Sequence, residues 1–112
     1  MEKKPSKAVF ISPELKELLD SLEPDHKKKK WIKDMKITLL NNMLEGEKIK
    51  KEQIPKYYID LYEVNNLFHY SHPEGFRSCY TLHNFDSLGV CPFILDIRSH
   101  PEYDRIFGYK KK

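Results

Sequence analysis

The chain has 112 residues, of which 39% are hydrophobic and 33% charged, a composition typical of a single globular domain spanning residues 1–112. Its mean hydropathy is −0.70 and no apolar run approaches the roughly 18 residues of a membrane span, so we expect a cytoplasmic protein that does not associate with membranes. The formal net charge of +3 is compatible with an anionic partner without requiring one, and two cysteines are too few for a disulfide framework or a zinc site.

The first half of the chain predicts one strand followed by two helices. Residues 7–11 favour a strand, and Ser12 and Pro13 then supply a helix N-cap and a first-turn proline. Apolar residues follow at helical spacing at Leu15, Leu18, Leu19 and Leu22. A second helix is predicted from Asp25, its cap, to Gly46, with one apolar stripe formed by Ile32, Met35, Leu39 and Met43. The two helices together form a predicted αα-hairpin.

The second half predicts an antiparallel sheet. Residues 47–66 favour a loop and then a short helix or irregular arm. Strands are predicted at 67–72, 76–83 and 90–98, because apolar runs there are separated by a proline–glycine turn and a polar loop. The predicted fold class is therefore α+β, with an N-terminal strand, an αα-hairpin and an antiparallel sheet in the order β-α-α-β-β-β.

Side chains alternate along a strand, so the parity of the apolar residues assigns them to the two faces of the sheet. The set predicted to face the two helices comprises Phe68, Tyr70, His72, Phe76, Ser78, Tyr80, Leu82, Phe93, Leu95 and Ile97. The opposite set includes His69, Ser71, Arg77, Cys79, Thr81, His83, Ile94, Asp96 and Arg98. Arg77 and Arg98 should thus lie opposite or diagonal to one another on an open face, unless a bulge between them moves one to the other face.

Two arginines on one face predict a phosphate-binding surface, because a guanidinium matches the geometry of phosphate oxygens. Metal-free cleavage of RNA needs a proton removed from the 2′-OH, a stabilised phosphorane and a proton delivered to the 5′ oxygen. Arg77 and Arg98 suit the second task, and His100 or Tyr103 suits proton transfer. Further candidates for RNA binding are His69, His83 and Tyr109. The alternative is that Arg77 only forms a surface salt bridge with Asp96.

A run of four lysines occupies the predicted first turns of the second helix, where the helix dipole disfavours cations. Its members are Lys27, Lys28, Lys29 and Lys30. The run predicts either attraction of RNA or an ordinary solvated surface. The histidines show no metal-ligand spacing and no glycine-rich phosphate loop is present, so we expect neither a metal nor another cofactor.

Three segments resemble the RelE/ParE superfamily of toxins from toxin–antitoxin systems. They are the stretches at 9–15 (VFISPEL), 76–82 (FRSCYTL) and 93–100 (FILDIRSH), the last continuing to Tyr103. By position, Arg77 is similar to the family's middle-strand arginine, Arg98 or His100 to the basic residue that ends the last strand, and Tyr103 or Tyr109 to its C-terminal tyrosine. Pro101 stands where many members have a basic residue.

The resemblance implies a ribosome-dependent mRNA endoribonuclease, an mRNA interferase that inhibits translation and is neutralised by a cognate antitoxin protein. One branch of the same superfamily, the ParE-like toxins, instead inhibits DNA gyrase. A non-catalytic module that binds RNA or a protein on the same fold is a third expectation.

Overall fold

The computed structural model describes residues 2–108, so the predicted RNA-binding residue Tyr109 lies outside the described residues. The protein has an α+β fold, as predicted. Its helices are α1 (Pro13–Asp20), α2 (Lys27–Asn41), α3 (Lys56–Tyr62) and α4 (His100–Phe107). Its strands are β1 (Phe10–Ile11), β2 (Glu47–Lys48), β3 (Phe68–Ser71), β4 (Arg77–Asn84) and β5 (Val90–Ile94). None of the helices formed by residues 2–108 is long and apolar enough to cross a membrane.

The five strands form one mixed sheet in the order β1-β5-β4-β3-β2. The antiparallel pairing predicted for the three later strands is present between β3, β4 and β5. The N-terminal strand, whose direction was not predicted, joins the sheet in parallel with β5. No hairpin dictates the direction of this pairing, since nearly the whole chain separates the two strands. Ser12 anchors the edge: its backbone N–H donates to the Ile94 carbonyl at 2.8 Å and its hydroxyl donates to the Leu95 carbonyl at 2.7 Å.

Helices cover both faces of the sheet. One face packs on α1 and α2, in a cluster that contains Leu15, Trp31, Ile32, Met35, Leu39, Phe68, Tyr80, Ile94 and Ile97. The other packs on α3 and α4, in a cluster that contains Ile49, Ile54, Tyr58, Leu67, Cys79, Leu95 and Tyr103. The second face, predicted to be open, is therefore partly covered. The short helix predicted as one possibility for residues 47–66 is α3. The sequence did not predict α4, because its eight residues are too few to display a long apolar period.

Gly46 does not end α2, which already stops at Asn41. A Cβ at Gly46 would lie 2.7 Å from both the His69 carbonyl oxygen and Cε1 of Tyr80. The Gly46 N–H also donates to the Tyr80 hydroxyl at 2.9 Å. Glycine is needed here because the chain passes tightly against the sheet on its way into β2.

The pairing of β4 with β5 contains a β-bulge. Tyr80 pairs with Ile94, yet three residues before Tyr80, Arg77 pairs with Arg98, which is four residues after Ile94. The second strand thus holds one extra residue between the two pairs, and such an extra residue reverses the alternation of side chains beyond it.

Because of the bulge, the side chains of β5 and of the residues after it do not all lie on the faces of the sheet that parity predicted. Ile94 belongs to the cluster under α1 and α2, while Phe93 and Leu95 pack in the cluster under α3 and α4. The predicted faces of these three residues are therefore wrong. Ile97 returns to the α1–α2 side, as predicted, because the bulge has reversed the alternation by then.

Candidate functional site

The two predicted catalytic arginines are brought together by their backbones. The Arg77 N–H donates to the Arg98 carbonyl at 2.8 Å, and the Arg98 N–H donates to the Arg77 carbonyl at 2.7 Å. Residues that exchange both hydrogen bonds lie directly opposite each other and place their side chains on the same face of the sheet. The structure therefore joins Arg77 and Arg98 on the face that packs against α3 and α4.

Each arginine lies against a tyrosine ring. The Arg77 Cζ atom is 5.0 Å from the centroid of the Tyr103 ring in α4. The Arg98 Cζ atom is 5.7 Å from the centroid of the Tyr57 ring in α3, and its Nη2 donates to the Tyr57 hydroxyl at 2.9 Å. These cation–π contacts hold the guanidinium groups without neutralising their charge.

Asp96 pairs with Arg98 and not, as the alternative prediction had it, with Arg77. Arg98 Nε lies 3.3 Å from Asp96 Oδ2, whereas no carboxylate of the described residues forms an ion pair with Arg77. The same Oδ2 accepts a hydrogen bond from the Tyr58 hydroxyl at 2.6 Å, and Oδ1 accepts one from the Cys79 backbone N–H at 3.0 Å. Asp96 is thus a buried acceptor of three hydrogen bonds at the bulge.

Burial has a strong effect on the ionisation of this network. It raises the pKa of Asp96, and the hydrogen bonds from Tyr58, Cys79 and Arg98 oppose that rise. Burial, reinforced by the negative charge of Asp96, also raises the pKa of the Tyr58 hydroxyl. Tyr58 therefore remains a neutral hydrogen-bond donor at physiological pH.

Arg98 lines a cleft with a volume of about 280 Å³ between the helices and the end of the sheet. The ionisable residues of its lining are Glu14, Lys28, Tyr57, Tyr62, Asp96, Arg98 and Glu102. Glu14 accepts a hydrogen bond from the Tyr62 hydroxyl at 2.8 Å, and Glu102 accepts one from the Ser99 backbone N–H at 2.9 Å. The two cations therefore share the cleft with carboxylates whose hydrogen bonds hold them in place.

The two residues predicted for proton transfer have different environments. Tyr103 is only 2% exposed, stacks on Phe107 with ring centroids 4.3 Å apart and contacts the His69 ring at 5.9 Å. The His100 side chain is 56% exposed, with Nδ1 3.4 Å from Asp104 Oδ2. Of this pair, His100 is the one that a ligand reaches without movement of α4.

The histidines predicted to bind RNA lie apart. His69 is half-buried, and its Nδ1 has no hydrogen-bond partner among the described residues. Burial and the charge of Arg77 lower the pKa of His69, against an opposing effect of Glu47, so its ring is neutral near pH 7. His83 is exposed at the far end of β4, against Phe85. Six residues of strand place it about 20 Å from Arg77, so the structure does not bring it to the arginines.

The four lysines do not form one surface. Lys28 lines the Arg98 cleft, with Nζ 5.0 Å from the centroid of the Phe76 ring. Lys27 pairs with Glu74 at 2.6 Å and Lys30 with Asp34 at 2.9 Å. Lys29 borders a separate groove between α1 and α2. Only Lys28 of the run is therefore placed beside an arginine of the site.

Tyr57 and Tyr58 are the site residues that the sequence did not identify, because their short helix suggested only packing. An aspartate two residues before Arg98 was the available signal, but strand parity alone did not indicate that its carboxylate would be buried. Among residues 2–108, no group of three or more histidine, cysteine, aspartate or glutamate side chains is arranged to hold a metal ion.

Comparisons of the chain with protein-family models, with curated proteins and with solved structures find no match.

Proposed function

We propose that the protein is a RelE-like toxin: a metal-independent endoribonuclease that cleaves mRNA on the ribosome and is neutralised by a cognate antitoxin. The observation that supports this most directly is the backbone pairing of Arg77 with Arg98, which places both arginine side chains on one face of the sheet. Permanently charged donors that flank a phosphate are what a phosphorane with added negative charge requires.

In the proposed reaction the 2′ oxygen attacks the adjacent phosphorus and loses its proton. The 5′ oxygen leaves with a proton, so the products are a 2′,3′-cyclic phosphate and a 5′-hydroxyl end. Arg77 and Arg98 contact the non-bridging oxygens. The exposed His100 accepts the proton of the 2′-OH and donates a proton to the leaving 5′ oxygen. We assign Tyr103 to positioning Arg77, because the phenol ring is buried and lies against that guanidinium.

The order of the main elements also supports the proposal. If the two-residue β2, the short α3 and the C-terminal α4 are set aside, the remaining elements run β1-α1-α2-β3-β4-β5, which is the order that the resemblance implies. A substrate engaged in translation requires a cytoplasmic location. The proposal further implies a small antitoxin encoded beside the toxin.

The test is inducible expression with growth curves and primer extension on cellular mRNA. We expect the wild-type chain to arrest growth and to create new RNA 5′ ends, and co-expression of the adjacent small open reading frame to restore growth. Loss of one charge-stabilising donor typically costs about 10²–10³-fold in rate, so Arg77→Ala and Arg98→Ala should abolish the new ends. The matched control is Arg105→Ala, which removes an exposed arginine on α4 and should leave cleavage intact.

The proposal is wrong if the wild-type chain neither arrests growth nor creates RNA ends. It is also wrong if Arg105→Ala reduces cleavage as much as the two site variants do. In that case general positive charge, and not the paired arginines, would be responsible.

A second candidate function is a non-catalytic RNA-binding module. It is favoured by the burial of Tyr103, which keeps this predicted proton-transfer residue away from a substrate. This function predicts RNA binding that weakens steeply with salt, with no new RNA ends. Filter binding of the purified protein beside the primer-extension assay separates the two functions.

A further inference from the structure

The bulge between β4 and β5 decides whether the two arginines meet. If the register of Tyr80 with Ile94 continued unbroken, Arg77 would face Ile97, and Arg98 would lie on the other side of the sheet. The observed partner of Arg77 is instead Arg98. The site therefore depends on whatever holds one extra residue in this strand.

Asp96 lies within the bulged segment and replaces part of the strand ladder with its side chain. The Cys79 carbonyl accepts the Leu95 N–H at 2.9 Å, as in a regular ladder. The Cys79 N–H, however, donates to Oδ1 of Asp96 at 3.0 Å instead of to a backbone carbonyl. A buried N–H without an acceptor is costly, so this carboxylate stabilises the bulged register.

The other carboxylate oxygen of Asp96 orients the arginine. Oδ2 accepts from Tyr58 at 2.6 Å and from Arg98 Nε at 3.3 Å, while Tyr57 accepts from Arg98 Nη2 at 2.9 Å. The Nη1 group of Arg98 makes no hydrogen bond to any described residue, and Arg98 lines the cleft. One edge of the guanidinium is thus held by protein, and donors remain for a ligand.

We propose that Asp96, itself held by Tyr58, is the positioning residue of Arg98: it maintains the bulge that brings Arg98 opposite Arg77 and fixes the direction of the guanidinium. The catalytic consequence rests on the proposed function, because an arginine held in one geometry stabilises a phosphorane better than a mobile one. The positioning itself does not rest on that function and has its own test.

Asp96→Asn is the decisive variant because asparagine preserves the shape of the side chain and an Oδ1 acceptor for Cys79. It removes the negative charge and presents an NH₂ group to Arg98 Nε, where two donors oppose each other. Tyr58→Phe is the second variant, since it leaves the carboxylate in place and removes only the hydrogen bond that Oδ2 accepts from the Tyr58 hydroxyl. The matched control is Asp60→Asn, at an exposed aspartate paired with Lys56 on α3.

The first experiment is independent of activity: NMR detection of the arginine Nε–H groups in the folded chain. The sequence has only three arginines, at 77, 98 and 105, so single variants assign all the signals. We expect the Arg98 Nε–H to exchange with water at least tenfold more slowly than that of Arg105. In Asp96→Asn this protection should be lost, in Tyr58→Phe it should be reduced, and in Asp60→Asn it should be unchanged.

Equal exchange of the Arg98 and Arg105 Nε–H groups in the wild-type chain overturns the positioning role. Protection that persists in Asp96→Asn, with the variant shown to be folded by its amide spectrum, overturns it too. If Asp96→Asn does not fold, the exchange of Arg98 in Tyr58→Phe decides, and an unchanged rate there overturns the proposal.

The second experiment measures the kinetics of RNA cleavage. We expect Asp96→Asn to lower kcat about as much as Arg98→Ala does, on the order of 10²-fold, with KM changed less than threefold. The double variant should lose no more than either single variant, because the two residues act as one unit. Additive losses overturn the positioning role, whereas an inert wild-type enzyme defeats the proposed function and leaves the NMR result to decide on Asp96.

Discussion

Oδ1 of Asp96 lies 3.0 Å from the backbone nitrogen of Cys79, so an acidic side chain completes a hydrogen bond that a regular strand would make with its backbone. Both residues are buried. This contact therefore links the stability of the sheet to the geometry of the candidate site.

Replacing Asp96 by alanine should destabilise the fold strongly. The change leaves the Arg98 charge, the Tyr58 hydroxyl and the Cys79 N–H without their acceptor, and breaking a buried pair on one side costs about 3–5 kcal/mol. Urea unfolding monitored by circular dichroism measures the loss in the free energy of unfolding. The control Asp60→Ala disrupts an exposed pair with Lys56 and should cost about 1 kcal/mol or less. Equal effects of the two changes contradict the prediction.

Gly46→Ala should destabilise the protein by steric conflict. The added methyl group would lie 2.7 Å from the His69 carbonyl oxygen and from the Tyr80 ring, and overpacking of this kind costs about 1–3 kcal/mol. The free energy of unfolding in urea is the measurement. The neighbouring exposed Glu45→Ala should change it by about 0.5 kcal/mol or less. A Gly46→Ala variant as stable as the wild type would contradict the prediction, because the backbone near β2 would then shift enough to accommodate the methyl group without cost.

Acid should destabilise the fold in part through His72. Burial lowers the pKa of this histidine from 6.5 to about 4, so the unfolded chain binds its proton more readily than the folded chain does. Stability from this group is complete above pH 6.5 and is lost as the pH falls towards 4. The measurement is the free energy of unfolding as a function of pH.

The variant His72→Gln isolates this contribution to the pH dependence. It should flatten the decline between pH 6.5 and 4, because glutamine takes up no proton on unfolding. Asp96, whose pKa burial raises, and His69, whose pKa burial lowers, are present in both proteins and cancel in the comparison. The exposed His83→Gln is the control and should leave the slope of the wild type unchanged. A decline in His72→Gln as steep as in the wild type refutes the assignment.

Ser99→Ala should loosen α4 more than the rest of the fold. Ser99 and Glu102 form a capping box, in which the Ser99 N–H donates to Glu102 at 2.9 Å and the Glu102 N–H donates to the Ser99 hydroxyl. Loss of such a cap costs about 1 kcal/mol, which corresponds to roughly fivefold faster amide hydrogen exchange in α4. Ser87→Ala, in the exposed turn Asp86–Leu88, should leave α4 unchanged. Uniform acceleration over the whole chain contradicts the prediction.

Lys28→Ala should weaken RNA binding more than Lys30→Ala does. Lys28 lies in the Arg98 cleft, whereas Lys30 is paired with Asp34 on the same helix. Removing a cation that contacts phosphate should reduce the slope of log K against log salt by about 1. Fluorescence anisotropy with a single-stranded RNA oligonucleotide at several salt concentrations measures both variants. Identical slopes for the two variants place the phosphate contact elsewhere.

Local signals were sufficient to predict α1 and the turn between β3 and β4. Ser12 caps α1 through the Leu15 N–H and Pro13 is its first residue, as expected. Gly75 adopts a left-handed backbone, with φ of 78°, as predicted, but Glu74 before it is also left-handed, with φ of 62°, which the predicted turn does not require. These features depend on residues within one or two turns of chain, so their physical cause is contained in the sequence that surrounds them.

The cap of α2 was predicted one residue too early. His26, and not Asp25, accepts the hydrogen bond from the Lys28 backbone through Nδ1 at 3.0 Å. Imidazole is a less usual cap than carboxylate, and α2 begins only at Lys27. The general preference of helix N-caps for aspartate thus located the start of α2 to within one residue but did not identify the side chain that caps it.

The amino-acid sequence by itself determined the α+β class, α1 and the chemical identity of the two arginines. Parity also predicted that Arg77 and Arg98 share a face, but only the tertiary structure makes them partners. The register of Tyr80 with Ile94 would place Arg98 on the other face without one extra residue. The extra residue is held by contacts from Asp96 to Cys79 and to Tyr58 of α3, which are 17 and 38 residues away in the chain. Contacts at such separations form only when the sheet and α3 pack together, so the local preferences of the sequence do not predict them.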